Sequence, residues 1–168
     1  MNCFFKHPAI TVVLGFLGVF SFFYALGRFN LRGAKSYHFD AGGEPGAFEP
    51  HSGRYQDVAK LVITLATAST AFVFNFLIKI SPKGSDRGPY SFLLEGAARV
   101  AIGSFSVSVM SLLAFMIWQS YWYEVYRHRE GQQSYTAHRY ALSIAFGFSG
   151  LVWFVAGYGW LAWALFSR

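Results

Sequence analysis

Residues Val100 to Tyr123 read VAIGSFSVSVMSLLAFMIWQSYWY and contain no Asp, Glu, Lys, Arg or His. A helix needs about 20 residues to cross the hydrocarbon core of a bilayer, which is about 30 Å thick. This run of 24 residues is therefore long enough to span a membrane. Three further stretches also lack charged residues and histidine: 8–27, 61–78 and 140–167. The sequence predicts four transmembrane helices.

The amino-acid composition of the chain also points to a membrane. Of its 168 residues, 54% are hydrophobic, 20% are aromatic and only 13% are charged. Soluble domains carry about 25% charged residues, and a soluble domain of this size could not bury so much apolar surface. The composition excludes a cytosolic enzyme, a disordered protein and a soluble DNA-binding domain. We accordingly expect no nucleic acid as a partner.

The expected architecture is all-α: an integral membrane four-helix bundle in a single domain, 1–168. We predict the helices at about 8–27, 57–80, 95–126 and 138–167, with a loop at 28–56 between the first two. That loop contains five glycines together with Pro45 and Pro50. So many helix-breaking residues argue against a long helix in this connection.

The first apolar stretch has an alternative interpretation as a signal peptide, because Ala25 and Gly27 are small residues at its end. Its apolar run is about 19 residues, whereas the apolar region of a signal peptide usually has about 7–15. Only one basic residue, Lys6, precedes it. We therefore expect a helix that is retained.

The basic residues lie mostly outside the apolar stretches and give the chain a net charge of +6. Anionic lipid headgroups are the expected partner of this charge. Four crossings place both termini on the same side of a multi-pass protein, which we expect in the cell (inner) membrane. Six Lys and Arg residues fall on the side of the termini and eight on the other side. This difference is too small to assign an orientation by the positive-inside rule.

Small and hydroxyl-bearing residues recur at helical spacing in the second, third and fourth helices. Because lipid tails are as apolar as leucine, helices in a bilayer associate through close packing and interhelical hydrogen bonds, which small residues allow. We interpret these positions as helix-packing faces, with the lining of a water-filled lumen as the alternative. They are Thr64, Thr67, Ala71, Asn75, Ser104, Ser108, Ser111, Gly147 and Gly150.

A polar cluster is predicted at one membrane end of the bundle. Glu124 and His128 are four residues apart and share a helix face, Arg127 lies beside them, and His138 begins the next helix. Imidazole and carboxylate groups can hold a divalent metal or a haem iron. However, the sequence has no HxxxH or HExxH spacing. We therefore expect a solvated helix end with ordinary ion pairs, and neither a metal nor a cofactor.

The chain contains no recognisable catalytic motif: P-loop, GxGxxG and GxSxG patterns are all absent. Proton pumps and ion-coupled transporters usually place ionisable residues inside the membrane, and the four stretches contain none. We predict a non-enzymatic protein that self-assembles into a homo-oligomer, as a pore or a membrane-perturbing effector. Two alternatives stay open. One is an accessory or scaffolding subunit bound to a partner membrane subunit, and the other is a ligand or cofactor binder at the Glu124/His128/His138 end.

Overall fold

The four charge-free stretches form α-helices in the structure, a computed structural model that describes residues 8–30, 48–80, 96–128 and 137–166. These helices are α1 (Pro8–Asn30), α2 (Phe48–Ile80), α3 (Gly96–His128) and α4 (Ala137–Phe166). No strand occurs in these four ranges. The predicted all-α class is confirmed.

The helix boundaries differ from the predicted ones mainly at the start of α2. That helix begins at Phe48 rather than at about residue 57, so the predicted loop at 28–56 is too long. Pro50 lies in the first turn of α2, where a missing N–H removes no helical hydrogen bond because those amides have no acceptor within the helix. Gly53 is tolerated inside the helix at a cost of about 1 kcal/mol relative to alanine. The rest of the Gly/Pro-rich connection, 31–47, lies outside the described residues.

Three of the four helices are long and apolar enough to span a membrane. The spans are Ala9–Phe29, Ala97–Trp122 and His138–Trp163, with mean hydropathies of 2.2, 2.1 and 1.6. They belong to α1, α3 and α4. The crossing by α2 stays a prediction, and the side chains at 73–78 of its charge-free stretch lie outside the described part of the chain.

The α3–α4 pair forms the centre of the bundle and has the most extensive contact between any two helices. Helix α1 packs mainly on α4, and α2 packs mainly on α3. The contact of α2 with α4 is small and includes a hydrogen bond between the hydroxyls of Ser69 and Tyr158. Helices α1 and α2 therefore lie at different sides of the central pair.

Two apolar clusters hold the outer helices to this pair. Ala59 and Val62 of α2 are buried against Leu112 and Phe115 of α3. In the second cluster, Val12 of α1, Val100 of α3 and Trp153 of α4 are buried together. The outward faces of the three spanning helices expose large apolar side chains, as expected of helices surrounded by lipid. Examples are Leu14, Met110 and Val155.

Candidate functional site

The serines of α3 lie at its contact with α4. Ser108 Oγ donates a hydrogen bond to the carbonyl oxygen of Gly150 at 2.7 Å, and Ser111 Oγ donates to that of Phe146 at 2.8 Å. Ser104 is also fully buried, but it donates to Val100 of its own helix. All three hydroxyls are thus bonded to the backbone within the chain, and two of them join the helices.

The glycines of α4 have no side chains, so the backbones of α3 and α4 can approach closely. This close approach allows the serine hydroxyls to reach the backbone of α4. A Cβ at Gly150 would lie 2.6 Å from Cγ of Leu112 and 3.3 Å from the carbonyl oxygen of Ser108. A Cβ at Gly147 would lie 3.4 Å from the ring of Phe115, which is a normal contact distance. The predicted small residues of α3 and α4 therefore meet each other in the single chain.

The predicted residues of α2 lie elsewhere. Thr64, Thr67 and Ala71 are exposed on the side of α2 opposite its buried face, and we call these three residues the outer face of α2. Thr64 and Thr67 donate hydrogen bonds to the backbone carbonyl oxygens four residues earlier, at 2.9 and 2.8 Å. The side chain of Asn75 lies outside the described residues. Neither threonine takes part in the α3–α4 contact.

At the polar end of the bundle, His138 of the predicted cluster has a partner on α1. A hydrogen bond of 2.7 Å joins Nδ1 of His138 to the hydroxyl of Tyr24 on α1, and the two rings meet edge to face. Glu124 is exposed, and the side chains of Arg127 and His128 lie outside the described part. Sequence reasoning missed Tyr24, although the predicted four crossings would place the end of α1 on the same side as the start of α4.

A second contact at this end ties α4 to α3. The guanidinium carbon of Arg139 lies 3.4 Å from the ring centroid of Trp122, and Trp118 Nε1 donates to the carbonyl oxygen of Arg139 at 3.2 Å. A cation over a tryptophan face contributes about 0.5–2 kcal/mol. These tryptophans therefore take part in helix packing.

Metal binding finds no support in the described residues, where no three His, Cys, Asp or Glu side chains lie close enough to hold an ion. An ion pair between Lys60 and Asp57, 3.3 Å apart, is exposed and lies within α2. Such exposed pairs on one helix contribute little to stability. Any metal site would have to include side chains beyond those described.

A cavity of about 330 Å³ lies between α2, α3 and α4 at the same end of the bundle. Val58 of α2, Leu112 and Gln119 of α3, and Tyr140 and Ser143 of α4 contribute to its wall. Sequence reasoning missed this cavity, because its wall comes from three helices and no spacing within one helix reveals it. The cavity combines apolar walls with buried polar side chains.

Comparisons of the chain with protein-family models, with curated proteins and with solved structures find no match.

Proposed function

We propose that this chain is a non-catalytic membrane protein of four crossings that acts by self-assembly through the outer face of α2. The supporting observation is that Thr64, Thr67 and Ala71 are small, exposed and directed away from the rest of the chain. The proposal places the protein in the cell (inner) membrane, as a homo-oligomer in contact with anionic lipid.

The crossing by α2 is supported by its sequence and by its packing. Residues 61–78 are uncharged and lie between Lys60 and Lys79. Lysines at such positions can extend their ammonium groups to the two membrane surfaces. Ala59 and Val62 pack against Leu112 and Phe115, which belong to the spanning segment of α3. This packing along a spanning helix supports a crossing by α2.

The outer face of α2 is a stripe of small residues on a helix that also exposes large apolar side chains. Leu61, Leu65 and Phe72 of α2 are exposed, and helices α1, α3 and α4 likewise expose large apolar side chains, which suit lipid. The threonines of α2 have short side chains whose hydroxyls are already bonded to their own backbone. Small residues let two helices approach closely in a bilayer. The same face of a second copy would meet it across a two-fold axis, the commonest symmetry of oligomers.

If the assembly forms a water-filled path, residues of the outer face of α2 would line it. Ser104, Ser108 and Ser111 of α3 are buried inside the bundle of the single chain, so they are not available to line a lumen between copies. Thr64 and Thr67 are neutral, and a pore without a charged ring selects weakly between ions. We therefore expect weak selectivity between monovalent cations and anions.

The test measures self-association in liposomes by energy transfer between labelled copies at several protein-to-lipid ratios. Thr67→Leu should weaken association about tenfold, which corresponds to about 1.4 kcal/mol. The matched control is Ser106→Leu, because Ser106 is also exposed and bonded to its own backbone, at Ile102, on another spanning helix. The control should associate like the native chain.

Ion flux in the same liposomes distinguishes a pore from a membrane-perturbing effector. Flux limited to small ions indicates a pore, and leakage of large solutes as well indicates a membrane-perturbing effector. A native chain that stays monomeric at every ratio would refute self-assembly. In that case, a stoichiometric foreign subunit that co-purifies with the chain would support the accessory-subunit alternative.

A further inference from the structure

We propose that the cavity between α2, α3 and α4 binds a neutral lipid-soluble molecule with a single hydrocarbon tail and a carbonyl or hydroxyl head. The cavity lies on the packed side of α2, so this inference is independent of self-assembly through the outer face. Its volume of about 330 Å³ falls within the usual range for ligand sites, about 300–1,000 Å³.

The shape of the cavity favours a tail. Its wall on α4 extends from Tyr140 to Leu151, which is roughly 16 Å along the helix at about 1.5 Å per residue. A cavity this long for its volume is narrow. The walls at its deeper end are apolar and include Leu112 and Leu151. A single hydrocarbon chain fits such a space better than a compact ring system.

The chemistry of the wall favours an uncharged head. Among the described residues of the wall there is no Asp, Glu, Lys, Arg or His. Burying an ionised group without a partner costs several kcal/mol. Gln119 is 7% exposed, and Ser143, whose Oγ donates to the carbonyl oxygen of Arg139, is 4% exposed. A carboxamide such as that of Gln119 offers both donors and an acceptor, which suits a carbonyl or hydroxyl group.

The position of the cavity matches the orientation of a lipid in one leaflet. Gln119 lies on α3 between Trp118 and Trp122, in the aromatic region typical of a membrane surface. Leu112 lies about two turns deeper in the span. The mouth opens between α2 and α4, which make little contact, and Val58 and Phe148 there are both 49% exposed. A molecule dissolved in the bilayer can therefore enter from the side, with its head near the surface.

The test uses the full chain in liposomes with a long-chain fatty alcohol that bears a photoreactive diazirine in its tail. We expect cross-links on wall residues of α2, α3 and α4, with competition by unlabelled monooleoylglycerol. A probe with the same tail and a quaternary ammonium head should label the cavity about fivefold less, a factor that corresponds to about 1 kcal/mol. Cross-links spread evenly over all four helices would overturn the proposal.

Two variants provide the matched comparison. Val58→Trp narrows the mouth from an exposed position and should reduce labelling about fivefold or more. Val13→Trp, at a position 54% exposed on α1 and away from the cavity, should leave labelling unchanged. Equal labelling of the two variants would refute the site.

A separate measurement tests whether Gln119 binds the head of the ligand. Gln119→Leu should retain tail labelling but lose the preference for the alcohol over a diazirine-bearing alkane of the same length. An unchanged preference would refute recognition of the head by this residue. Thr67→Leu should not affect labelling, so a failure of self-assembly and a failure of this site remain distinguishable.

Discussion

Ser108 and Ser149 both carry buried hydroxyls, but only one of the two has a hydrogen-bond partner among the described residues. Both side chains are fully buried. Ser108 donates to the carbonyl oxygen of Gly150 on the facing helix, whereas Ser149 Oγ has no hydrogen-bond partner among the described residues. A buried polar atom without a partner loses its hydration and gains nothing in return. The two positions should therefore respond oppositely to removal of the oxygen.

Ser108→Ala should lower the free energy of unfolding by about 0.6 kcal/mol, the average for hydrogen bonds between membrane helices. Ser149→Ala should leave it unchanged or raise it, because the oxygen that it removes is unpaired. Reversible unfolding in mixed micelles, followed by circular dichroism, measures both. A loss at Ser149 as large as that at Ser108 would indicate a partner of the Ser149 hydroxyl that this structure does not show.

At the scale of the helices, glycine sets how closely α3 and α4 approach. The position of Gly150 has no room for a side chain, since its Cβ would overlap Leu112. Gly159 lies on the same helix, is exposed, and has no atom within 4 Å of its ideal Cβ among the described residues. One glycine is thus required by packing, and the other is not.

Gly150→Ala should destabilise the bundle by about 1–3 kcal/mol, the usual cost of an extra carbon in a tightly packed contact. Gly159→Ala should be neutral or stabilising by up to about 1 kcal/mol, because alanine favours the helix. Thermal unfolding of the purified protein in one detergent compares the two variants. Similar melting temperatures would show that the α3–α4 contact relaxes at little cost.

For the whole molecule, the number of crossings determines which connections share a side of the membrane. If α2 crosses, the first and third connections lie on one side and the second lies on the other. If α2 lies along the surface instead, the first and second connections share a side. Relative to the first connection, both the second and the third connection lie on opposite sides in the two arrangements.

Labelling of single cysteines with a membrane-impermeant maleimide tests the four-crossing arrangement in a Cys3→Ser background. Ser36→Cys and Ser134→Cys should be labelled from the same side, and Ser85→Cys from the opposite side. Permeabilised cells provide the control that each cysteine is reactive. Labelling of Ser36→Cys and Ser85→Cys from the same side would contradict a crossing by α2.

The sequence by itself determined the helical class and the approximate extent of the helices. In lipid every backbone polar group must be bonded internally, so a long stretch without charge has few options other than a helix. The periodicity also grouped the small residues onto shared faces. The predicted start of α2 at about residue 57 was wrong. Pro50 breaks a helix in its interior but is tolerated in the first turn, so the helix can begin before it.

Only the tertiary structure decided which face meets which neighbour. Ser108 and Thr67 both follow small-residue spacings, yet Ser108 bonds across to α4 and Thr67 bonds to its own helix at the surface. His138 pairs with Tyr24, which is 114 positions away in the chain, and the cavity takes its wall from three helices. The spacing of residues along one helix predicts which of them share a face. The partner of that face depends on how separate helices pack, through contacts that no local pattern encodes.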